Sequence, residues 1–349
     1  MDEQIAPSVR KAEAPPTLVL TRADIAELMT LGDYRAAADE AFKAMAEGRA
    51  LSPPPLHIPA ADGGGFHAKG ARLRTHRGDY VAVKLNGNFP RNPQQTGLPT
   101  IQGAILLCDA ANGALRAVMD SIEVTLRRTA AATALAARHL ARPNATTIAI
   151  CGCGEQGRAQ LAALADELKL THAFAWDIDA VAAKDLVEEM SPKLRFRIER
   201  AENLADATRR SDVIVSCTTA RAPFLDLDHV RPGTFVAAVG ADSHDKSELA
   251  PQLMARGKVV VDVLEHCRSI GDLHHAIAAG VMAPEDVFAT LAELAAGQKP
   301  GRTTDDEITI FDSTGTAVQD AAAAIRIYER AKARRIGLVR HFGELPARR

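Results

Sequence analysis

The chain has little net charge, few cysteines and no long apolar run. Its 42 Lys and Arg stand against 44 Asp and Glu, a formal charge of −2. Without a basic excess there is no electrostatic case for nucleic acid or an anionic membrane surface as a partner. No apolar stretch approaches the roughly 18 residues of a membrane span. The opening MDEQIAPSVRKAEAPP lacks the apolar core of a secretory signal and reads as a polar lead-in, so a cytoplasmic protein is expected. The five cysteines (Cys108, Cys151, Cys153, Cys217 and Cys267) are too few and too scattered for a disulfide framework. Internal repeats and low-complexity blocks are also missing.

What is present is a soluble composition, 47% hydrophobic and 25% charged, on 349 residues, enough for two domains. TRADIAELMTLGDYRAAADEAFKAMAEGRA predicts two helices, with Thr21 capping the first. The Pro- and Gly-rich stretch from Leu51 to Gly65 reads as a loop. From Phe66 to Asp120 the pattern changes to extended runs, with a hairpin at Asn112-Gly113, and predicts an antiparallel sheet. IEVTLRRTAAATALAARHLA predicts a long helix that Asp120 and Glu123 help begin and Arg142-Pro143 stops. Beyond it, short apolar strands alternate with helices, the pattern of a doubly wound α/β domain.

The first of those strands runs into IAICGCGEQGRAQ. Its two cysteines raise a thiol or metal site, but Cys-x-Cys with no nearby Cys/His pair is no closed zinc site, and no metal is expected. The glycines explain the stretch better. Gly152, Gly154 and Gly157 form G-x-G-x-x-G between a strand and a helix. Gly152 permits the tight turn, Gly154 lets the backbone approach a pyrophosphate, and Gly157 lets helix and strand pack closely. Cys151 is expected buried at the strand end, and Cys153 facing the cofactor. Asp177 ends the next strand. A carboxylate there accepts from the adenosine ribose hydroxyls and repels a 2′-phosphate, so NAD is favoured over NADP.

Four further stretches, GLPTIQGAILLCDAANG, RRTAAATALAARHLARPNA, AVGADSHDKSEL and TIFDSTG, resemble the ornithine cyclodeaminase/μ-crystallin family, over roughly residues 80–324. The resemblance implies an α/β fold: a Rossmann dinucleotide-binding domain plus an α+β substrate and dimerisation domain built from both chain ends. The expected division is 1–125 for the first part of the substrate domain, 126–315 for the NAD-binding domain, and 316–349 for a C-terminal helix returning to the first. A homodimer is implied as well. By matching position, Lys84 and Arg128 contact the substrate carboxylate and Asp242 is the catalytic aspartate. Thr100, Glu155, Gln156, Asp177, Thr218, Lys246 and Ser313 fall on cofactor-contacting positions, and Thr314 beside them on a weaker substrate position.

These residue types support the implied chemistry independently. Lys84 and Arg128 would anchor a carboxylate, which turns the Cα hydrogen towards the nicotinamide. Asp242 would take a proton from the amine as hydride leaves, giving an iminium. It emerges after the strand FVAAVG, with Lys246 and Glu248 expected to begin a helix behind it. The sequence departs from ornithine cyclodeaminases where they carry a glutamate in the strand before the lysine and an arginine further upstream. Here the strand offers His67 and Lys69, and LSPPPLHIP holds no arginine. Ornithine's second amine would lack its partner, while Lys69 suggests an extra anion contact. His67, His274 and His275 belong to no motif and are expected in structural roles. The expected activity is that of an NAD-dependent cyclodeaminase or dehydrogenase acting at the Cα–N bond of an α-amino acid. The alternatives are an alanine dehydrogenase-like enzyme, a cyclic ketimine reductase of the pyrroline-2-carboxylate type, or a non-enzymatic μ-crystallin-like cofactor and ligand carrier.

Overall fold

Thr21 and Thr30 each accept from a backbone N–H three residues on, while Asp24 and Asp33 reach back to the cap N–H. These two capping boxes start the first two helices where the sequence changes from apolar strand to helical spacing. The computed structural model describes residues 15–60 and 64–342. The polar lead-in before residue 15, residues 61–63 of the expected loop and the last seven residues of the expected C-terminal segment lie outside the described residues.

The first part of the chain runs β1 (Thr17–Leu20), α1 (Arg22–Leu28), α2 (Leu31–Ala46), β2 (Ala50–Leu51), β3 (Leu56–Pro59), β4 (Gly65–Thr75), β5 (Gly78–Asn88), α3 (Asn92–Gln95), β6 (Ile101–Asp109), β7 (Leu115–Asp120) and α4 (Ile122–Leu140). The second part runs β8 (Thr147–Cys151), α5 (Glu155–Glu167), β9 (His172–Trp176), α6 (Ala180–Met190), β10 (Arg197–Arg200), α7 (Leu204–Arg209), β11 (Val213–Ser216), β12 (Phe235–Ala238), α8 (Pro251–Arg256), β13 (Lys258–Val261), α9 (Leu264–Cys267), α10 (Asp272–Ala278), β14 (Ala289–Thr290), α11 (Leu291–Ala295), β15 (Thr309–Asp312), α12 (Ala317–Arg334) and β16 (Leu338–Arg340).

Two eight-stranded sheets result. The first has the order β16-β1-β7-β6-β5-β4-β2, with β3 also on β4. Its β4 to β7 segment is antiparallel throughout. The second has the order β10-β9-β8-β11-β12-β15-β13-β14, with every pair parallel. The chain leaves β8 first to one side and then to the other, so β8 and β11 flank the switch point where such folds bind ligands.

The first and last described strands meet. Helix α12 packs on β4, β5, α2 and α4, and β16 pairs with β1. Along α12 the consecutive residues Ala321, Ala322, Ala323 and Ala324 are all buried, so this part of the helix is covered on every side. Small side chains let the helix lie close to the sheet. Helix α4 starts as expected: Asp120 accepts from the N–H groups of Ile122 and Glu123. The 125/126 division expected from sequence falls inside this one helix. One expectation is corrected here. Leu51–Gly65 is not wholly a loop, because β3 pairs antiparallel with β4. Its prolines are compatible with pairing since β3 bonds to one neighbour only, as strands at an edge do.

Candidate functional site

The glycine loop is built at the switch point. Gly152 has a φ of +104°, and a Cβ on it would come within 2.7 Å of the Cys217 carbonyl oxygen, across from β8 at the end of β11. A Cβ on Gly157 would come within 2.1 Å of the Gly152 carbonyl oxygen, so α5 sits directly against the turn. Around the Cβ position of Gly154 there is open space. Gly154 caps α5 without a side-chain hydrogen bond, which leaves the first N–H groups of a 13-residue helix facing that space. This is the cradle a pyrophosphate needs, and Thr218 stands beside it.

Asp177 follows the tip of β9, its Oδ2 accepting from the Cys153 N–H at 2.7 Å and its Oδ1 from the Asp179 N–H at 2.9 Å. Each oxygen keeps a lone-pair direction for a ribose hydroxyl. Cys153 itself is a correction. The turn at Gly152 rotates its side chain inward, and its buried thiol lies 3.4 Å from the Trp176 carbonyl instead of facing the cofactor space. Burial pushes this thiol up to about 12, so it is inert. Glu155 is exposed and pairs with Arg22, and Gln156 Nε2 is buried without a protein partner. Thr100 contributes its carbonyl to the Phe89 N–H. Neither Thr100 nor the glycine loop lines the cavity that holds Lys84 and Asp242.

That cavity, about 550 Å³ and partly open to solvent, is lined by His67, Lys69, Lys84, Asn86, Asn88, Ile101, Thr125, Arg128, Asp242 and Thr314. Strand alternation explains the first five. In the β4–β5 register Lys69 pairs with Lys84, His67 with Asn86 and Gly65 with Asn88, so their side chains share one face. Thr125 and Arg128 project from α4 at i, i+3 spacing. The last two arrive from the carboxyl ends of β12 and β15.

The residue that organises the cavity is one the sequence reading missed, Asp320 in the first turn of α12. Lys84 Nζ lies 3.0 and 2.8 Å from its two oxygens, and Arg128 Nε lies 3.1 Å from Oδ1. Lys84 also donates to Thr125 Oγ1 at 3.2 Å, and Arg128 Nη1 to Gln319 Oε1 at 3.1 Å. Gly315 is required beside them: its φ is +77°, and a Cβ there would fall 2.7 Å from Arg128 Nη1. Lys69 Nζ donates to the carbonyls of Thr314 and Gly315 at 3.2 and 3.1 Å.

One acid therefore pairs with two cations while a third, Lys69, lies nearby, and the proton affinities follow. Asp320 would be raised by burial, but Lys84, Arg128 and Lys69 together hold it below the usual carboxylate range. Lys84 is pushed down to about 7 by burial, with the shared Asp320 opposing and Arg128 and Lys69 adding to the fall. Lys69 is lowered too, by burial first and Arg128 second. A carboxylate entering the cavity would restore the balance. The pH consequence has a definite sign. Protonated Lys84 holds an anion and neutral Lys84 does not, so kcat/KM, which reports the free enzyme, is expected to fall as pH rises through about 7. A pH profile of kcat/KM checks this. Lys84→Arg should move that basic limb out of the measurable range, because guanidinium stays charged.

Asp242 is half exposed to the cavity and bonds Lys246 Nζ at 2.6 Å. Burial raises its pKa, but Lys246, Lys69 and His67 outweigh that and leave it lowered. Behind it the expected helix at Lys246 and Glu248 is absent, and the next helix begins at Pro251. Glu248 is instead buried as a clamp, Oε1 accepting from the Thr218 N–H and hydroxyl and Oε2 from the Gly240 N–H. It ties the end of β11 to the end of β12. Ser313 and Thr314 donate to Asp262 Oδ2 and Oδ1, which fixes the loop after β15. His275 bonds the Lys246 carbonyl as a structural residue, whereas His67, expected to be structural, faces the cavity with its ring centroid 4.5 Å from that of His57 and tilted by 44°. Among the described residues no cluster of metal ligands occurs, and no helix is long and apolar enough to cross a membrane.

Comparison with known proteins agrees with this geometry. The model of the "Ornithine cyclodeaminase/mu-crystallin family" matches residues 16–335. An archaeal alanine dehydrogenase dimer solved with bound NAD superposes with a TM-score of 0.89 at 36% identity, covering 94% of this chain and 100% of that one. The Thermococcus litoralis Δ1-pyrroline-2-carboxylate reductase, solved with NADH and L-proline, gives 0.87 at 32% identity, covering 92% and 99%. The Paracoccus denitrificans iminosuccinate reductase with NAD+ gives 0.86 at 31% identity, covering 93% and 99%.

Proposed function

The chain belongs to the ornithine cyclodeaminase/mu-crystallin family, and on that premise we propose that it is an NAD-dependent oxidoreductase acting at the Cα–N bond of an α-amino or α-imino acid. The observation that carries the reading is the convergence of Lys84, Arg128 and Asp242 on one cavity at the carboxyl edge of the parallel sheet. The same division of labour follows from it: the parallel sheet holds NAD, and the antiparallel sheet with α12 holds the substrate.

When bound, the nicotinamide supplies or accepts the hydride. The chain supplies everything else. The α5 N-terminus and Gly154 hold the pyrophosphate, and Asp177 the adenosine ribose. Arg128 and Lys84 bind the substrate carboxylate by charge-assisted hydrogen bonds and so orient Cα. Asp242, ionised at neutral pH, accepts a proton from the amine nitrogen or stands as counter-charge to the iminium.

Imine reduction and amino-acid oxidation are favoured over cyclodeamination by one observation. A cyclodeaminase must hold a second amine, yet the strand facing Lys84 offers Lys69 and His67, and a cation there repels an ammonium. Turnover followed at 340 nm, NADH with imines in one direction and NAD with amino acids in the other, tests the proposal. Absence of any turnover in a protein that binds NADH would support the non-enzymatic carrier reading instead.

Cofactor choice gives a separate prediction. NADH should bind at least about tenfold tighter than NADPH, a difference of about 1.4 kcal/mol, because Asp177 repels the 2′-phosphate. Asp177→Ser should narrow that ratio, read from dissociation constants for both cofactors. The ratio is the readout because Asp177 also holds the glycine loop through the Cys153 N–H.

We also propose a homodimer. The outer face of the antiparallel sheet exposes Phe66, Val83, Leu85 and Leu106, an apolar patch of the kind that marks an interface. A second copy of the chain is its occupant, and sedimentation at the dimer mass checks it.

A further inference from the structure

We propose that the substrate is a dicarboxylate, a short α-imino or α-amino acid whose side chain carries a second acidic group held by Lys69. This deepens the function proposed above and rests on it.

The β4–β5 register sets the argument. Lys69 and Lys84 are directly opposed across the ladder and turned to the same buried face. Like charges directly opposite one another destabilise a sheet, and burying a cation without a counter-ion costs more still. Lys84 has its counter-ion in Asp320. Among the described residues Lys69 has none: no carboxylate lies within salt-bridge distance of it, and two neutral carbonyl oxygens are its only hydrogen-bond acceptors. An ammonium has three donors, which leaves one for the cavity that Lys69 lines.

A purely structural lysine would account for the two carbonyl bonds and nothing else. It would tie β4 to the loop after β15. That role needs no charge, and it does not explain placing a cation beside Lys84 and Arg128. The pairing of charges does. Lys84 and Arg128 share Asp320 and Lys246 pairs with Asp242, whereas Lys69 feels Asp242, Asp320 and the buried Asp262 only at a distance. Lys69 is thus the cavity cation without an ion pair among the described residues, and a monocarboxylate bound on Lys84 and Arg128 leaves it so. With its α-carboxylate on Lys84 and Arg128, a substrate would turn its side chain across the ladder towards β4, where Lys69 and His67 stand. In the reductive direction the C=N carbon takes hydride and the nitrogen a proton, NADH becomes NAD+, and both carboxylates leave unchanged.

The test compares two substrate pairs on the full chain: oxaloacetate against pyruvate, each with ammonium and NADH, and aspartate against alanine, each with NAD. Dicarboxylates are expected to have the higher kcat/KM. Lys69→Met should lower the dicarboxylate-to-monocarboxylate ratio of kcat/KM by roughly 10- to 150-fold, the range for a lost charge-assisted bond, and Lys69→Arg should keep most of it. Calorimetry of the NADH complex supplies a readout without turnover, with succinate binding more tightly than propionate and losing that advantage in Lys69→Met. A wild-type enzyme that prefers the monocarboxylates, or a Lys69→Met that leaves the ratio unchanged, overturns the inference and leaves the function standing. No turnover of either pair overturns the inference, and only the absence of turnover with every imine and amino acid tried, in a protein that binds NADH, overturns the function as well.

Discussion

Asp242→Asn is expected to bind NAD normally, melt near the wild type and lose roughly 10²- to 10⁴-fold in turnover, the usual worth of a positioned acid or base. The competing reading is that Asp242 is a turn residue that only holds its loop. The structure separates the two. A turn or cap aspartate accepts backbone N–H groups, but among the described residues the Asp242 carboxylate accepts from Lys246 Nζ and from no backbone N–H. The loop is held by other groups: Glu248 binds the Gly240 N–H and Thr218, and Asp272 binds the N–H groups of Glu248 and Leu249. Asparagine should therefore leave the loop in place. What it removes is the negative charge beside the reacting nitrogen, and with it the proton acceptor. The lowered pKa makes Asp242 a modest base but a constant anion at neutral pH, so much of the loss should come from the iminium's missing counter-charge. Turnover within a few-fold of wild type in a correctly folded variant would end this mechanism. Measurements of NAD affinity and melting temperature keep a folding failure from being mistaken for it.

The local features of the site were legible in the sequence, and the non-local ones were not. G-x-G-x-x-G between an apolar strand and a helix can be read directly, because each glycine answers a steric demand made within a few residues. The alternation of β4 and β5 likewise put Lys69 and Lys84 on definite faces. Cys153 was misread because the positive φ of Gly152 ends the strand geometry, and the motif alone does not show which way the next side chain turns. Lys246 and Glu248 were misread because spacing alone does not show that Glu248 is consumed by Thr218 and Gly240, 30 and 8 residues away. The largest omission was Asp320, separated by 192 residues from Arg128 and by 236 from Lys84. Its one signal was compositional: AVQDAAAAIRIYERAK carries a Gln-Asp pair next to a run of four alanines. A polar pair on a helix face that small residues otherwise fit for burial needs a buried partner, though the pattern does not say which.

Because Asp320 is the shared counter-ion of two buried cations, Asp320→Ala is expected to destabilise the fold by about 3–5 kcal/mol at pH 6, the cost of breaking a buried pair from one side. Arg128 keeps, among the described residues, its bond to Gln319 and no ion pair. Lys84 has another option. Its pKa already stands at about 7 with Asp320 present, and without that carboxylate it falls further, so at neutral pH Lys84 sheds its proton. The sign of the pH dependence follows. A lysine whose folded pKa lies below its unfolded value near 10.4 makes the fold less stable as pH falls between the two, with the full penalty below the folded pKa. In the variant that penalty extends to lower pH than in the wild type. The difference between the two is therefore greatest below the folded pKa of Lys84 and shrinks as pH rises through about 7, down to the part owed to Arg128. Urea unfolding of both proteins at pH 6 and pH 9 measures it. Asp320→Asn, which keeps an acceptor but no charge, should lie between them. Equal stability losses at the two pH values would show that Lys84 does not depend on Asp320. A loss under about 1 kcal/mol at pH 6 would show that the cluster tolerates its cations without a protein acid. Either result would remove the basis for treating α12 as part of the substrate site.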